Sequence, residues 1–492
     1  MLCKKKSLYS ILLIFLFFVW ILFSILLGEH IPAGSGLGFD GVTYTRFAQS
    51  MDKIILNHET ASYLIQRIAP SSLIYLASKV FHFSVNVQNA PLLFSILNAC
   101  MLAGSLLIWL KLAKKLNWNI YVKIISFSGL FLNFANLKMS FYYPTLTDTT
   151  AFTLGLLMLY CYVNEKDKWL VAASIVGAFT FPTLLCMGFI LFILPCKKNK
   201  TKIVKFSSSF PMFATLLQAI TIVIISLLLH FVYGASAVGS NYSSPMLFLS
   251  ILSLFLYVFF ALRPMTEFYW GALTAFIKNP IRILFCFLIF IMISIIIKQI
   301  SNDRISVLTF IEYLTNISNQ ALAYPFNFII SHFMYYGPII LLFLYFWREV
   351  VEYLSQKGAG LFIVTGIYLI LSIGSESRQL INFLPMVVFL TAEILNKKAL
   401  TWDFTLFFAF LSLIVSKCWL PINHGEWLSL AMNPPQITLE FPMQWYFMNF
   451  GPWVSQMMYL IHFFLIMVTG LLLYFFAKKR NILNKKDLAC QA

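Results

Sequence analysis

The segment "ILLIFLFFVWILFSILLG", Ile11 to Gly28, contains no charged residue. Runs of about 18 or more apolar residues read as membrane-spanning helices. Comparable runs fall near 90–110, 120–139, 150–163, 212–233, 246–262, 281–300, 329–346, 360–374, 380–395, 403–420 and 454–477, and two shorter ones flank "FTFPT" (Phe179 to Thr183). A chain that is 60% hydrophobic, with a mean hydropathy of +0.83, has too little polar surface for a soluble domain of 492 residues. In lipid every backbone polar group must be satisfied internally, which favours helices here. The expected fold is all-α and polytopic, with about 12–14 spans in a single integral membrane domain covering residues 1–492. The first run is too long for a signal peptide and lacks a small-residue cleavage site, so an anchor helix is expected.

The net charge of +17 is distributed as topology requires rather than as a nucleic-acid partner would require. Basic clusters separate the apolar runs: Lys4 to Lys6, Lys111 to Lys115, Lys197 to Lys205, Lys397 with Lys398, and Lys478 to Lys486. Cytoplasmic loops carry such an excess. With the N-terminus placed inside by Lys4 to Lys6, alternation puts most of the Lys and Arg inside and both termini in the cytoplasm. Acids such as Asp40, Asp52, Glu59, Asp148, Glu376 and Glu426 then fall outside, and so do Arg46, Arg67, Arg304 and Arg378. The outer face reads as the working face.

The first external loop, 29–89, includes "SYLIQRIAPSSLIYLASKVFHF" (Ser62 to Phe83). Its Arg67, Pro70 and Lys79 suit interfacial helices better than a span. The last external loop, 421–452, offers Trp427, Trp445 and Tyr446, which suit either sugar faces or an interfacial belt. Two N-x-S sequons, at Asn241 and Asn316, fall outside. The eight cysteines are scattered without a CxxC, which gives no metal site and no disulfide framework. No P-loop, HExxH or GxSxG is present.

Three outer constellations can carry chemistry. In "GFDGVTYTRF" glycines flank Asp40 and allow close approach to a ligand, Tyr44 and Arg46 follow at a helix start, and Thr43 can cap it. In "SFYYPTLTDTTAF" Asp148 lies at the mouth of a span behind Tyr142, Tyr143 and Pro144, where an acid also complements the helix dipole. In "SIGSESRQLINFLPMVVF" Glu376 and Arg378 interrupt an apolar hairpin at its outer turn. Ionisable groups at membrane depth are costly and tend to be functional or paired, and the planar fork of an arginine suits a phosphate. His332, in "FIISHFMYYGP", and Arg67 are weaker candidates: a helix-end histidine, and an arginine that binds lipid phosphate or snorkels.

Together these features resemble the multi-span GT-C glycosyltransferases. The shared elements are an Asp in the first external loop, a P-x-x-x-D at the outer mouth of a later helix (Pro144 to Asp148), and a late E-x-R-Q-L…P hairpin (Glu376 to Pro385). The resemblance covers about residues 10–400 in topology and rests on short motifs. It implies sugar transfer on the extracytoplasmic face from a polyprenyl-phosphate-linked donor to a glycan, lipid or protein acceptor; the basic cytoplasmic loops and few external cysteines fit a bacterial inner membrane, with an endoplasmic-reticulum membrane and a lumenal site as the alternative. It also implies Asp40 as general base, Asp148 as an accessory acid that positions acceptor or metal, and Arg378 on the donor phosphate. Glu376, Tyr44, Arg46, Arg67 and His332 would complete the substrate site. No cofactor is required by the sequence; the resemblance allows a divalent cation, Mg or Mn. Many members carry a second acid beside the first-loop Asp, and here Gly41 follows instead.

Two other readings use the same residues. A lipid-linked glycan polymerase or ligase would rely on several external arginines. A secondary transporter or flippase would need polar groups across the midplane, where Asn98 and Asn133 are exceptions to otherwise apolar spans and Glu393 is expected near the inner end.

Overall fold

The computed structural model describes residues 2–196, 210–233, 244–302, 310–423, 444–445 and 456–479. In chain order its principal helices are α1 (Leu2–Leu27), α2 (Gly41–Leu56), α3 (Ala69–Phe81), α4 (Ala90–Lys115), α5 (Ile120–Phe131), α6 (Asp148–Val163), α7 (Asp167–Ala178) and α8 (Pro182–Ile193). They continue as α9 (Phe210–Tyr233), α10 (Ser244–Thr266), α11 (Tyr269–Ile277), α12 (Pro280–Ile300), α13 (Phe310–Ala323) and α14 (Asn327–Tyr336). The last are α15 (Ile339–Tyr345), α16 (Trp347–Lys357), α17 (Ala359–Leu371), α18 (Leu384–Leu395), α19 (Trp402–Ser416) and α20 (Gln456–Lys479). The only extended pairing among the described residues is a two-residue parallel bridge, Ile422–Asn423 with Gln444–Trp445.

The chain is a polytopic helical membrane protein. Five helices are long and apolar enough to cross a membrane, or six when the bent pair Ile120–Phe131 and Ala135–Tyr142 is taken as one span. Shorter apolar helices, among them α6, α8, α17, α18 and α19, occupy the other expected spans. α12 shows why lipid is the solvent: Ile281, Leu284 and Phe287 are exposed while Cys286, Ile289 and Ile293 are buried. An apolar surface of that extent is not tolerated in water.

Two expected spans are interrupted. After α5 the chain bends by 54° and continues through a π-helical stretch, Ala135–Met139. The carbonyls freed at this break are taken by side chains: Asn133 Nδ2 donates to Gly129 O (3.0 Å) and Leu130 O (2.9 Å), and Asn136 Nδ2 donates to Leu130 O (2.6 Å). Broken helices persist at membrane depth only where such partners exist. The run at 329–346 is two helices, α14 and α15, separated at Gly337 (φ 83°) and Pro338. The expected interfacial stretch 62–83 is one turn, Ser62–Ile65, followed by α3.

The two ends of the bundle sort their polar residues. At one end Glu29 pairs with Lys138 and accepts from the Ile422 N–H (2.9 Å), Asn302 N–H donates to Thr60 O (2.8 Å), and Ala69 N–H donates to Phe179 O (2.8 Å). At the other end Trp118 Nε1 and the Tyr353 hydroxyl donate to Glu393 (2.7 and 2.6 Å), Arg282 pairs with Asp167 (2.8 Å) and Lys398 pairs with Glu349 (2.9 Å). The second is the basic end. Charge alternation along the sequence assigns these groups to the same two ends. Arg304, Glu426, Trp427, Tyr446, Asn241, the Lys197–Lys205 cluster, most of loop 421–452 and the tail beyond Lys479 lie outside the described residues.

Candidate active site

The hairpin between α17 and α18 turns through a short 3-10 segment, Ser377–Leu380, and projects Arg378 into the first-loop end of the bundle. Its guanidinium gathers carboxylates from three stretches of chain. Nη2 lies 3.9 Å from Asp40 Oδ2, and Nε lies 3.8 Å from Asp148 Oδ2 and 3.9 Å from Glu376 Oε1. These are ion-pair separations, longer than direct hydrogen bonds. The side chains of Arg378 and Asp148 are 12% and 13% exposed, and that of Asp40 is 35% exposed. The cluster is therefore deep on the Asp148 side and open on the Asp40 side.

Asp40 is placed by contacts rather than by looseness. It stands at the N-cap of α2, where its side chain makes no capping bond, so the carboxylate is turned to the arginine. Thr43, expected as the cap, falls inside the helix because the helix starts two residues earlier. Gly38 has φ +74°, and a Cβ there would lie 2.2 Å from the Tyr143 ring. A Cβ on Gly41 would lie 2.2 Å from Thr145 Oγ1. The glycines let the loop lie directly on the 143–145 segment. Asp40 N–H donates to the Tyr143 hydroxyl oxygen (2.8 Å) and the Thr145 hydroxyl donates to Leu37 O (2.9 Å).

Asp148 opens α6. The turn before it is pinned by Asn98, whose Nδ2 donates to Ser140 O and Pro144 O (both 2.8 Å). This is why α4 carries an asparagine among apolar residues. Gly155 lets α6 run against the arginine hairpin: a Cβ there would come 2.1 Å from Asn382 O. Neither carboxylate oxygen of Asp148 has a hydrogen-bond partner among the described residues. Beside it is a cavity of about 10 Å³ lined by Asn136, Ser140, Tyr143, Thr149 and Ile381, room for about one water.

The arginine turn is held from behind. Gln320 Oε1, from α13, accepts from the N–H groups of Ser375 (2.8 Å) and Glu376 (3.2 Å). His332 bonds Ser377 Oγ (2.9 Å) and Ser372 O (2.8 Å) through its two ring nitrogens, and the Tyr336 hydroxyl donates to Ser377 O. His332 thus commits both ring nitrogens to the turn and supports it. Gln379 Nε2 donates to Glu376 Oε2 (2.6 Å). Burial raises the Glu376 carboxyl above its ordinary range, with Arg378 and Arg67 pulling the other way. Burial likewise raises the phenol of Tyr44, which stays protonated.

Arg67 belongs to the same neighbourhood, close enough to act electrostatically on Glu376 and Tyr44. Its guanidinium lies between the rings of Tyr63 (5.2 Å) and Phe181 (5.1 Å), and its buried Nε has no hydrogen-bond partner among the described residues. Two aromatic faces hold it far more rigidly than snorkelling would. Phe181 comes from the FTFPT turn between α7 and α8. The Tyr44 hydroxyl is buried and also without a partner among the described residues. Arg46 is not in the cluster. It is exposed on the other side of α2, because Tyr44 and Phe47 take the buried face.

Sequence reading singled out Asp40, Asp148, Glu376 and Arg378 by their outer position, their local motifs and the GT-C resemblance. It did not find Gln320 or Phe181, whose polar or aromatic character has no local signal. Among the described residues no three His, Cys, Asp or Glu side chains are grouped as metal ligands; the charge at the centre of the carboxylates is the Arg378 guanidinium. No protein family, curated protein or solved structure matches the chain.

Proposed function

We propose that the chain is a membrane glycosyltransferase that moves a sugar from a polyprenyl-phosphate-linked donor to an acceptor hydroxyl. The observation that carries this reading is the convergence of Asp40, Asp148 and Glu376 on Arg378 within 4 Å, at an end of a lipid-embedded bundle where a lipid phosphate travels. The half-open Asp40 carboxylate is the general base. It takes the acceptor proton as the acceptor oxygen bonds the anomeric carbon and the carbon–oxygen bond to the phosphate breaks. One displacement inverts the anomeric centre. Arg378, with Arg67, binds the departing phosphate and offsets its growing charge. Asp148, buried against Arg378, orients that guanidinium and the acceptor.

In this reading the carboxylate end faces the extracytoplasmic side and the basic end, with both chain termini, faces the cytoplasm of a bacterial inner membrane. The test is transfer of labelled sugar from polyprenyl-phosphate donors in membranes carrying wild type, Asp40→Asn or Arg378→Ala at matched protein levels. Loss of at least a hundredfold in Asp40→Asn supports the assignment. Full activity in that variant refutes Asp40 as base. Uptake of a solute without transfer by the wild type would replace the enzyme with a transporter.

A further inference from the structure

A second site lies at the opposite end of the bundle. α15, α19 and α20 leave between them an apolar groove of about 320 Å³, lined among others by Leu341, Leu344, Phe404, Gly470, Leu473 and Tyr474. That volume is typical of a ligand site rather than of a packing defect. The groove is open at Gly470, where a Cβ would touch only Leu341 Cδ1, at 4.0 Å. Its flanks, Tyr345, Leu471 and Phe475, are exposed apolar surface that faces lipid.

The mouth of the groove is charged. Lys478 Nζ stands 5.8 Å from the Tyr474 ring, which lines the groove, whereas Lys398, 5.2 Å from the Phe346 ring, is 7% exposed and paired with Glu349. Lys479 adjoins on the last turn of α20. Acids at this end include Glu349, bonded to Lys398 (2.9 Å), and Asp403 on the first turn of α19, together with Glu393 and Asp167. Lys478 is exposed. An apolar slot in a lipid-facing wall with two exposed lysines, Lys478 and Lys479, at its end matches a molecule with a hydrocarbon tail and an anionic head.

We propose that this groove holds one acyl chain of an anionic phospholipid, with its phosphate at Lys478 and Lys479. Lys478, on the last turn of a membrane helix, reaches the headgroup level, where each basic residue is worth about 1 kcal/mol toward anionic lipid, or about fivefold in affinity. The site is independent of the carboxylate cluster and of the function proposed for it.

The test is native mass spectrometry of the purified full-length protein, stripped of lipid and then titrated with phosphatidylglycerol or with phosphatidylcholine of the same chains. Wild type is expected to retain one phosphatidylglycerol at least fivefold more strongly than phosphatidylcholine. Lys478→Glu removes that preference while still taking up either lipid weakly. Gly470→Leu fills the slot and loses retention of both. Thermal melting without added lipid checks that each variant is folded, and if Gly470→Leu is not, the charge reversal alone decides. Equal retention of the two lipids by wild type overturns the proposal, as does unchanged preference in Lys478→Glu. A dimer that dissociates in Gly470→Leu would assign the groove to a second copy of the chain and overturn it too.

Discussion

The hydroxyl oxygen of Tyr143 accepts the backbone N–H of Asp40 at 2.8 Å, joining residues 103 positions apart. That bond fixes where the Asp40 carboxylate stands relative to Arg378, because it holds the first turn of α2 against the segment that leads into α6. The ring also lies under Gly38, where a Cβ would come within 2.2 Å. Tyr143→Phe keeps the ring and removes the hydroxyl. It is expected to lower stability by about 1 kcal/mol and transfer activity by about tenfold. Under the proposed transfer reaction the loss falls on kcat more than on KM, because it shifts the proposed base and not the arginine proposed to hold the donor phosphate. Kinetics and thermal melting on the same preparation check this.

Gly155 brings α6 within contact of Asn382 O on the arginine hairpin. Gly155→Ala forces the two apart and is expected to cost about 1–3 kcal/mol, the usual range for overpacking. Because the displaced helix carries Asp148 on its first residue, activity falls further than the melting temperature implies. Gly104 is the control, since a Cβ there would meet nothing within 4 Å. Gly104→Ala is expected to leave both unchanged or to stabilise the helix slightly.

Arg378 holds three carboxylates apart. Removing it leaves buried negative charge without its partner, and Arg378→Ala is expected to lower stability by about 3–5 kcal/mol. Asp148→Asn on that background restores part of the loss. The coupling between the two positions, read from a double-mutant cycle of unfolding, is expected at about 0.5–3 kcal/mol. A coupling of zero would separate Asp148 from the arginine.

The Glu376 carboxyl has its folded pKa raised above the ordinary value by burial. A group whose pKa is raised on folding takes up a proton as the chain folds. Its contribution is therefore fully present below the ordinary carboxylate pKa of about 4.3 and is lost as pH rises through the folded value. Melting temperature is expected to decline across that interval in wild type. Glu376→Gln, which mimics the protonated form, is expected to flatten this part of the profile.

His332 uses both ring nitrogens on the Arg378 turn, at Ser377 Oγ and Ser372 O. His332→Ala leaves those groups without their partner and is expected to cost about 1–3 kcal/mol and to weaken donor binding through Arg378. Glutamine at the same position, which can reach one of the two bonds, is expected to recover part of both. A variant with unchanged KM for donor and unchanged melting would remove His332 from the support.

The membrane class was legible in the sequence because hydropathy is additive along the chain: Ile11 to Gly28 reads as a span whatever it packs against. The end-to-end sorting of charge was legible for the same reason, since Lys398 and Lys478 on one side and Asp40 and Arg378 on the other follow from counting alternations. The breaks at Phe131–Ala135 and at Gly337–Pro338 were hidden, because windowed hydropathy does not register that Asn133 and Asn136 can satisfy freed carbonyls. The amphipathic helices α13 and α16 were missed because their apolar faces are too narrow to resemble spans.

The candidate site divides along the same line. Composition and position singled out Asp40, Asp148, Glu376 and Arg378 as charges placed where charge is costly. That they surround one guanidinium was decided only by close packing: Gly38 under Tyr143, Gly155 against Asn382, Asn98 on the turn before Asp148. The same packing turned Arg46 outward and brought in Arg67, clamped by Phe181 from a distant turn. Burial cost depends on each residue alone and can be read one residue at a time. Ion pairing depends on distances between segments, and those are set by how the helices meet.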